Sequence, residues 1–196
     1  MLTTLAKVKA RLGIKEEDVI DDDMLTNLIA MVSARFDTIC NRSFGYATNA
    51  IEEFEGDATE IAVRCFPIDE SRSLTFEFRE TAALGWQTPA SADYIVRKSC
   101  IISLFNKLTS WRSQARVTYS GGYKLPDGTS PAEAIVDLPS DVELSAVEQI
   151  AYWYQNRNRL GLTGISADGG SIQQFATLDL LPNVKNALRQ HERWIC

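Results

Sequence analysis

Apolar residues recur at helical spacing at both ends of the chain and at strand spacing between them. Leu2, Leu5, Val8 and Leu12 share one face of a short amphipathic helix that stops at Gly13, a residue that readily takes the left-handed conformation ending a helix. After an acidic linker, Leu25, Leu28, Ile29, Val32, Phe36 and Ile39 form the apolar stripe of a longer helix. Asp21, Asp22 and Asp23 stand immediately before it. As a cap, their carboxylates would accept from free backbone N–H groups and complement the helix dipole, together worth about 1 kcal/mol. A divalent-metal site is the rival reading, but no paired acidic cluster lies nearby in sequence.

From Ala50 to Tyr123 the period shortens, with β-branched and aromatic residues in short runs. Strands are predicted over Ile51–Phe54, Ile61–Cys65, Leu74–Phe78, Tyr94–Val96, Ile101–Phe105 and Val117–Tyr119. Gly56, Pro67, Gly85, Pro89 and Gly121 punctuate them as turn residues. An antiparallel sheet or small sandwich is expected, with no internal repeat of solenoid length.

Pro126 to Pro139 reads as a loop. Leu138-Pro139-Ser140-Asp141 then opens the most regular helix, with Ser140 as its expected cap. Leu144, Val147, Ile150, Ala151 and Tyr154 are its expected core face. Val142, Ala146, Gln149 and Trp153 lie on a second face rotated by roughly 120°. That second face is only half polar, so Trp153 has two readings: packing on the chain's own sheet, or contact with a neighbouring subunit. Gly161, Gly164, Gly169 and Gly170 predict a flexible loop from Gly161 to Ser171. Pro182 starts a last helix with Val184, Ala187, Leu188 and His191 on one face.

This order gives an α+β fold: an N-terminal helix pair, a central antiparallel β-rich region, and a long helix and C-terminal helix packing as a helical bundle. The 196 residues fit one globular domain, or one domain carrying a sizeable insertion. We read 1–196 as a single domain in three stretches, 1–45, 46–125 and 138–196. Hydrophobic residues at 45% and charged residues at 23% exclude wholesale disorder. Apolar runs such as Cys100 to Phe105 fall far short of the roughly 20 residues that span a bilayer, and the N-terminus has no signal pattern, so no membrane partner is expected and the chain reads as cytoplasmic where it is made. Cys40, Cys65, Cys100 and Cys196 are scattered singly, which argues against a zinc knuckle or redox pair. A net charge of −6 disfavours tight nucleic-acid binding, and does not exclude a protein that lines a DNA passage.

No catalytic constellation emerges, and no cofactor or metal is expected. His191 is the one histidine and falls on an apolar stripe, so a Ser-His-Asp triad or zinc site would need unusual partners. Gly121-Gly122-Tyr123-Lys124 departs from the Walker pattern at Leu125 and Pro126, and reads as a strand exit. Glu52, Glu53, Glu55, Asp57 and Glu60 read as a solvated acidic edge rather than a glycosidase pair. Arg112, Arg116, Arg157, Arg159, Arg189 and Arg193 are interleaved with aromatics; in an acidic chain, ion pairs with neighbouring acids are expected rather than stacking on bases.

Several of these pieces, in this order, resemble the head-tail connector, or adaptor, proteins of tailed double-stranded DNA bacteriophages. They are Asp22 and Asp23 before Leu25, Leu28 and Ile29; Cys40-Asn41-Arg42-Ser43-Phe44 at the close of the second helix; and Arg116-Val117-Thr118-Tyr119-Ser120-Gly121-Gly122-Tyr123, a strand ending in a Gly-Tyr turn. Next come Leu138-Pro139-Ser140-Asp141-Val142-Glu143, opening a helix that reaches Tyr152-Trp153-Tyr154, and Leu181-Pro182-Asn183-Val184 with Leu188 and Arg193. Two departures are a longer β-rich middle and the interruption from Asp127 to Asp137.

The resemblance implies a non-enzymatic subunit of a ring, twelve-fold in the family, that sits beneath the portal protein after packaging in the virion neck. It forms the platform for the next neck or tail component, is assembled in the host cytoplasm, and lets double-stranded DNA pass without sequence-specific binding. Another neck or tail-completion protein is the near alternative, and a host-side binding module or small enzyme the distant ones. The expected subunit or portal interface comprises Val142, Gln149 and Trp153, with Gly164, Gly169 and Trp194 marking the glycine-rich loop and C-terminal segment as docking elements.

Overall fold

Thr4 opens the first helix by accepting the Lys7 N–H at 3.3 Å, and Gly13, at φ 71°, closes it as α1 (Leu5–Leu12). The computed structural model describes residues 1–158, 165–166, 172–173 and 179–193. It divides the chain into two units: Met1–Cys40 with Leu138–His191, and Asn41–Asp137 with Glu192–Cys196. The first unit is thus assembled from both sides of the second. This boundary joins the first and last of the three stretches read from sequence.

The first unit is helical. α2 (Asp22–Ile39), α3 (Ser140–Gln155) and α4 (Pro182–Leu188) join α1, and α3 packs against the other three. Val8, Leu25, Val32, Phe36, Val142, Ala146, Ile150 and Leu188 are fully buried between them. Each large apolar side chain so buried contributes about 1.5–3 kcal/mol. Pro182 stands in the first turn of α4, where its missing N–H costs nothing.

Two expected caps are corrected. Asp21 occupies the N-cap of α2 without a side-chain cap bond. Its carboxylate accepts the Tyr154 hydroxyl instead, and Asp22 meets the ammonium of Lys9 at 2.6 Å. Lys9 is buried and also donates to the carbonyls of Glu16 (3.2 Å) and Asp18 (2.7 Å). A buried ammonium needs these partners, and that demand outweighs a cap worth about 1 kcal/mol. Likewise Ser140 is the first helical residue of α3, and Pro139 takes the cap position.

The second unit contains two three-stranded antiparallel sheets. In one, β6 (Gln114–Gly121) lies between β1 (Ala47–Glu55) and β3 (Thr75–Arg79). In the other, β5 (Ile101–Leu104) lies between β2 (Glu60–Ala62) and β4 (Tyr94–Arg97). All six predicted strands are present. Their inward residues Ile61, Phe76, Ile102, Leu104, Val117 and Tyr119, with Val63, Cys65 and Ile68, form one core cluster. Lys98 and Ser99, both at positive φ (51° and 55°), make the turn between β4 and β5, a conformation that Asn-Gly usually supplies.

The expected loop from Pro126 to Pro139 is present, and one other loop expectation changes. Residues 126–137 fold back on the unit: Lys124 N–H donates to Val136 O at 2.7 Å, Leu125 N–H to Ser130 Oγ at 2.7 Å, and Ala134 is buried. In the segment expected to be a loop from Gly161 to Ser171, Ile165–Ser166 is a strand, β7, paired antiparallel with β8 (Ile172–Gln173).

Candidate functional site

The residues expected to face a neighbour on α3 turn inward. Val142 and Gln149 have no exposed surface, Trp153 is 3% exposed, and Leu144, expected in the core, is 57% exposed. Contact with three other helices buries a wider arc of α3 than one packing face would. Gln149 is buried because its Oε1 accepts the Leu181 N–H at 2.8 Å, one of the free donors ahead of α4. Its role is to seat α4 within the unit. Gly164, Gly169 and Trp194 lie outside the described residues.

In the second unit the structure brings together two of the motifs that carry the family resemblance. Arg42 is buried, its guanidinium carbon 3.3 Å from the ring centroid of Phe66, 4.6 Å from that of Phe44 and 5.1 Å from that of Tyr123. It donates to Phe66 O. Phe44 and Tyr123 stack at 6.5 Å, Tyr123 N–H donates to Phe44 O at 2.8 Å, and Tyr46 N–H returns to Tyr123 O at 2.9 Å. Gly122, at φ 114°, permits this approach: a Cβ there would stand 2.5 Å from Gly45 O. Arg42-Ser43-Phe44 and Gly122-Tyr123 are therefore the two sides of one clasp. Sequence showed the motifs but not their meeting, and Phe66 carried no signal at all.

Two polar groups flank the clasp. Asp69 accepts Ser71 Oγ (2.6 Å), Ser71 N–H (3.1 Å) and the Tyr46 hydroxyl (2.8 Å). The Ser71 bond leads in holding its carboxyl below the usual range, against the opposing effect of burial. Tyr46 moves upward through burial and its bond to Asp69. Tyr119 accepts the Cys65 N–H at 2.9 Å, and its hydroxyl lies 3.3 Å from Glu52; burial raises its pKa strongly. Tyr46, Asp69 and Ser71 line a cavity of about 230 Å³ together with Pro67, Ile68 and Gly122.

The remaining candidates are accounted for by structure. His191 Nε2 lies 2.7 Å from Asp141 Oδ2. Cys40 and Cys65 are buried and Cys100 half-buried, while Cys196 lies outside the described residues. Among the described residues no group of three or more His, Cys, Asp or Glu could hold a metal ion, and no helix is long and apolar enough to cross a membrane. Of the arginines expected in ion pairs, Arg116 meets Glu77 at 2.8 Å. Arg112 and Arg157 instead stack on Trp111 and Tyr154, and Arg193 donates to Ala62 O at 3.3 Å. Planar guanidinium groups beside aromatic rings take this alternative readily.

These features belong to a protein built on a helical unit and a β-rich unit. The family described as phage gp6-like head-tail connector protein matches residues 2–132, well over half of the chain, and the chain belongs to that family. It is a structural phage connector protein and not an enzyme. The match includes the clasp; α3 and α4 lie beyond it. A chain from the neck of an empty GTA particle computed with C6 symmetry has the same fold at 13% identity and a TM-score of 0.56, covering 97% of this chain and 89% of that one. A chain from the virion of a native gene transfer agent (GTA) particle aligns at 13% identity and a TM-score of 0.53, with the same coverage. No curated protein matches.

Proposed function

We propose that this chain is a subunit of a closed ring in the virion neck, bound to the portal protein on one side and to the next neck or tail component on the other. The observation that carries this reading is the family match over residues 2–132, which includes the clasp of Arg42 and Tyr123. The likeness to a chain of the GTA neck extends support to the helices beyond that match. A twelve-membered ring contains the sixfold axis with which that neck was computed. Assembly takes place in the host cytoplasm. The net charge of −6 favours passage of double-stranded DNA without adhesion, because phosphate is repelled rather than gripped.

Native mass spectrometry over a wide concentration range, alone and with portal rings, tests this. A closed oligomer of about a dozen copies, free or on the portal, is the expected result. A stable dimer that ignores the portal would overturn the reading.

A further inference from the structure

The loop joining β5 to β6 carries two large aromatic side chains into solvent: Phe105 is 70% and Trp111 65% exposed. The loop is nevertheless held firmly. Gly56 N–H donates to Ser113 O at 2.8 Å, Thr109 N–H to Gly56 O at 2.9 Å, and the Ser110 and Ser113 hydroxyls lie 2.9 Å apart. A Cβ on Gly56 would stand 2.7 Å from Ser110 O, so glycine is what lets the turn after β1 close against the loop. Aromatic side chains on a fixed backbone lose little freedom on binding, and Trp and Arg often dominate binding energy. Arg112 stacks on Trp111 at 4.8 Å and has no carboxylate partner among the described residues. Ala92, Asp93 and Tyr94 line, with Phe105, an open cavity of about 580 Å³.

The helical unit presents a surface of the opposite kind. Ile20 is 87% exposed, the most of any large hydrophobic among the described residues, and Val19 is 68% exposed. Glu16, Glu17 and Asp18 precede them and Asp21, Asp22 and Asp23 follow. This segment too is fixed, by the buried Lys9 and by an Ile20 N–H bond to Asp18 Oδ1 at 3.2 Å. An apolar pair among carboxylates matches exposed aromatic side chains and a guanidinium that has no carboxylate partner among the described residues, both in hydrophobicity and in sign of charge. Of the carboxylates near the aromatic loop, Asp57 is paired with Lys107 and Glu60 with Arg97, which leaves Asp93 and Glu55 to set against Arg112 and against Arg79, which shares with Glu55 the register partner Gln114.

We infer that Phe105, Trp111 and Arg112 of one copy receive Val19 and Ile20 of a second copy. The inference rests on the ring reading. Two different surfaces of one chain that fit each other make a heterologous contact, the kind that repeats around a ring.

The test places photoreactive benzoyl-phenylalanine at position 105 of the full chain, leaving Trp111 and Arg112 in place. Isotopically labelled and unlabelled chains are mixed and irradiated, and the cross-linked peptides are identified by mass spectrometry. Adducts between chains within residues 16–23 are expected, falling at least about tenfold with Ile20→Ser, an exposed position whose substitution leaves the core intact. Adducts elsewhere, or none between chains, overturn the inference. Native mass spectrometry of the same samples separates the two readings. A closed ring without adducts at 16–23 keeps the ring and removes this contact; adducts at 16–23 in a dimer keep the contact and remove the ring.

Discussion

The guanidinium of Arg42 lies over the ring of Phe66 and donates to the carbonyl of the same residue. One side chain thereby covers an aromatic face and satisfies a backbone acceptor. Arg42→Ala removes both and leaves space between Phe44, Phe66 and Tyr123, so a loss of about 2–4 kcal/mol is expected. Urea unfolding followed by tryptophan fluorescence measures it. A cost below about 1 kcal/mol would show that the clasp does not depend on Arg42.

Gly122 and Gly128 form a matched pair for testing the clasp. Both have positive φ, 114° and 73°, but a Cβ on Gly128 meets nothing within 4 Å, whereas on Gly122 it would press on Gly45 and Tyr46 backbone. Gly128→Ala should cost about 1 kcal/mol, and Gly122→Ala about 3 kcal/mol or more. Equal costs by thermal denaturation would contradict the close approach.

Gln149 and Trp153 should behave as core residues. Gln149→Leu strands the Leu181 N–H, at an expected cost of about 1–3 kcal/mol. Trp153→Asp places a charge at a position only 3% exposed and should unfold the helical unit. Circular dichroism reads both. A folded Trp153→Asp variant with altered assembly would return this residue to the surface.

Asp69 predicts part of the acid response. Its folded pKa lies below the ordinary 3.8, so its contribution is complete above that value and is lost as pH falls through the lower folded one. Asp69→Asn should lower the urea midpoint at pH 7 and flatten its fall as pH drops below about 4. Parallel curves for the two proteins would show that the Ser71 and Tyr46 bonds do not favour the charged form.

Much of this architecture was legible because it is local. The short alternating runs around Phe76, Ile102 and Val117 marked strands, and Gly13 marked the end of α1. The turn between β4 and β5 escaped its usual signal because Lys98 and Ser99, rather than glycine, take positive φ. On α3 the expected core residues Val147, Ile150 and Ala151 are buried but Leu144 is exposed, and the second face of Val142, Gln149 and Trp153 is buried too, because both faces are apolar enough to bury and only the number of packed neighbours decides. The clasp was illegible for a different reason: residues 42, 66 and 123 are far apart, and nothing periodic links an arginine to three rings.

The interrupted helical unit also sets an order of events on the ribosome. Residues 41–137 are contiguous and can fold as they emerge, but α1 and α2 precede them while α3 and α4 follow. At about 5–20 residues per second, α2 waits roughly 5–20 s for α3, with Leu25, Ile29, Val32 and Phe36 still lacking the partner that buries them. Through that interval the nascent chain exposes a sticky helix, and slowing translation between codons 41 and 137 should raise aggregation or chaperone capture more than slowing it after codon 155.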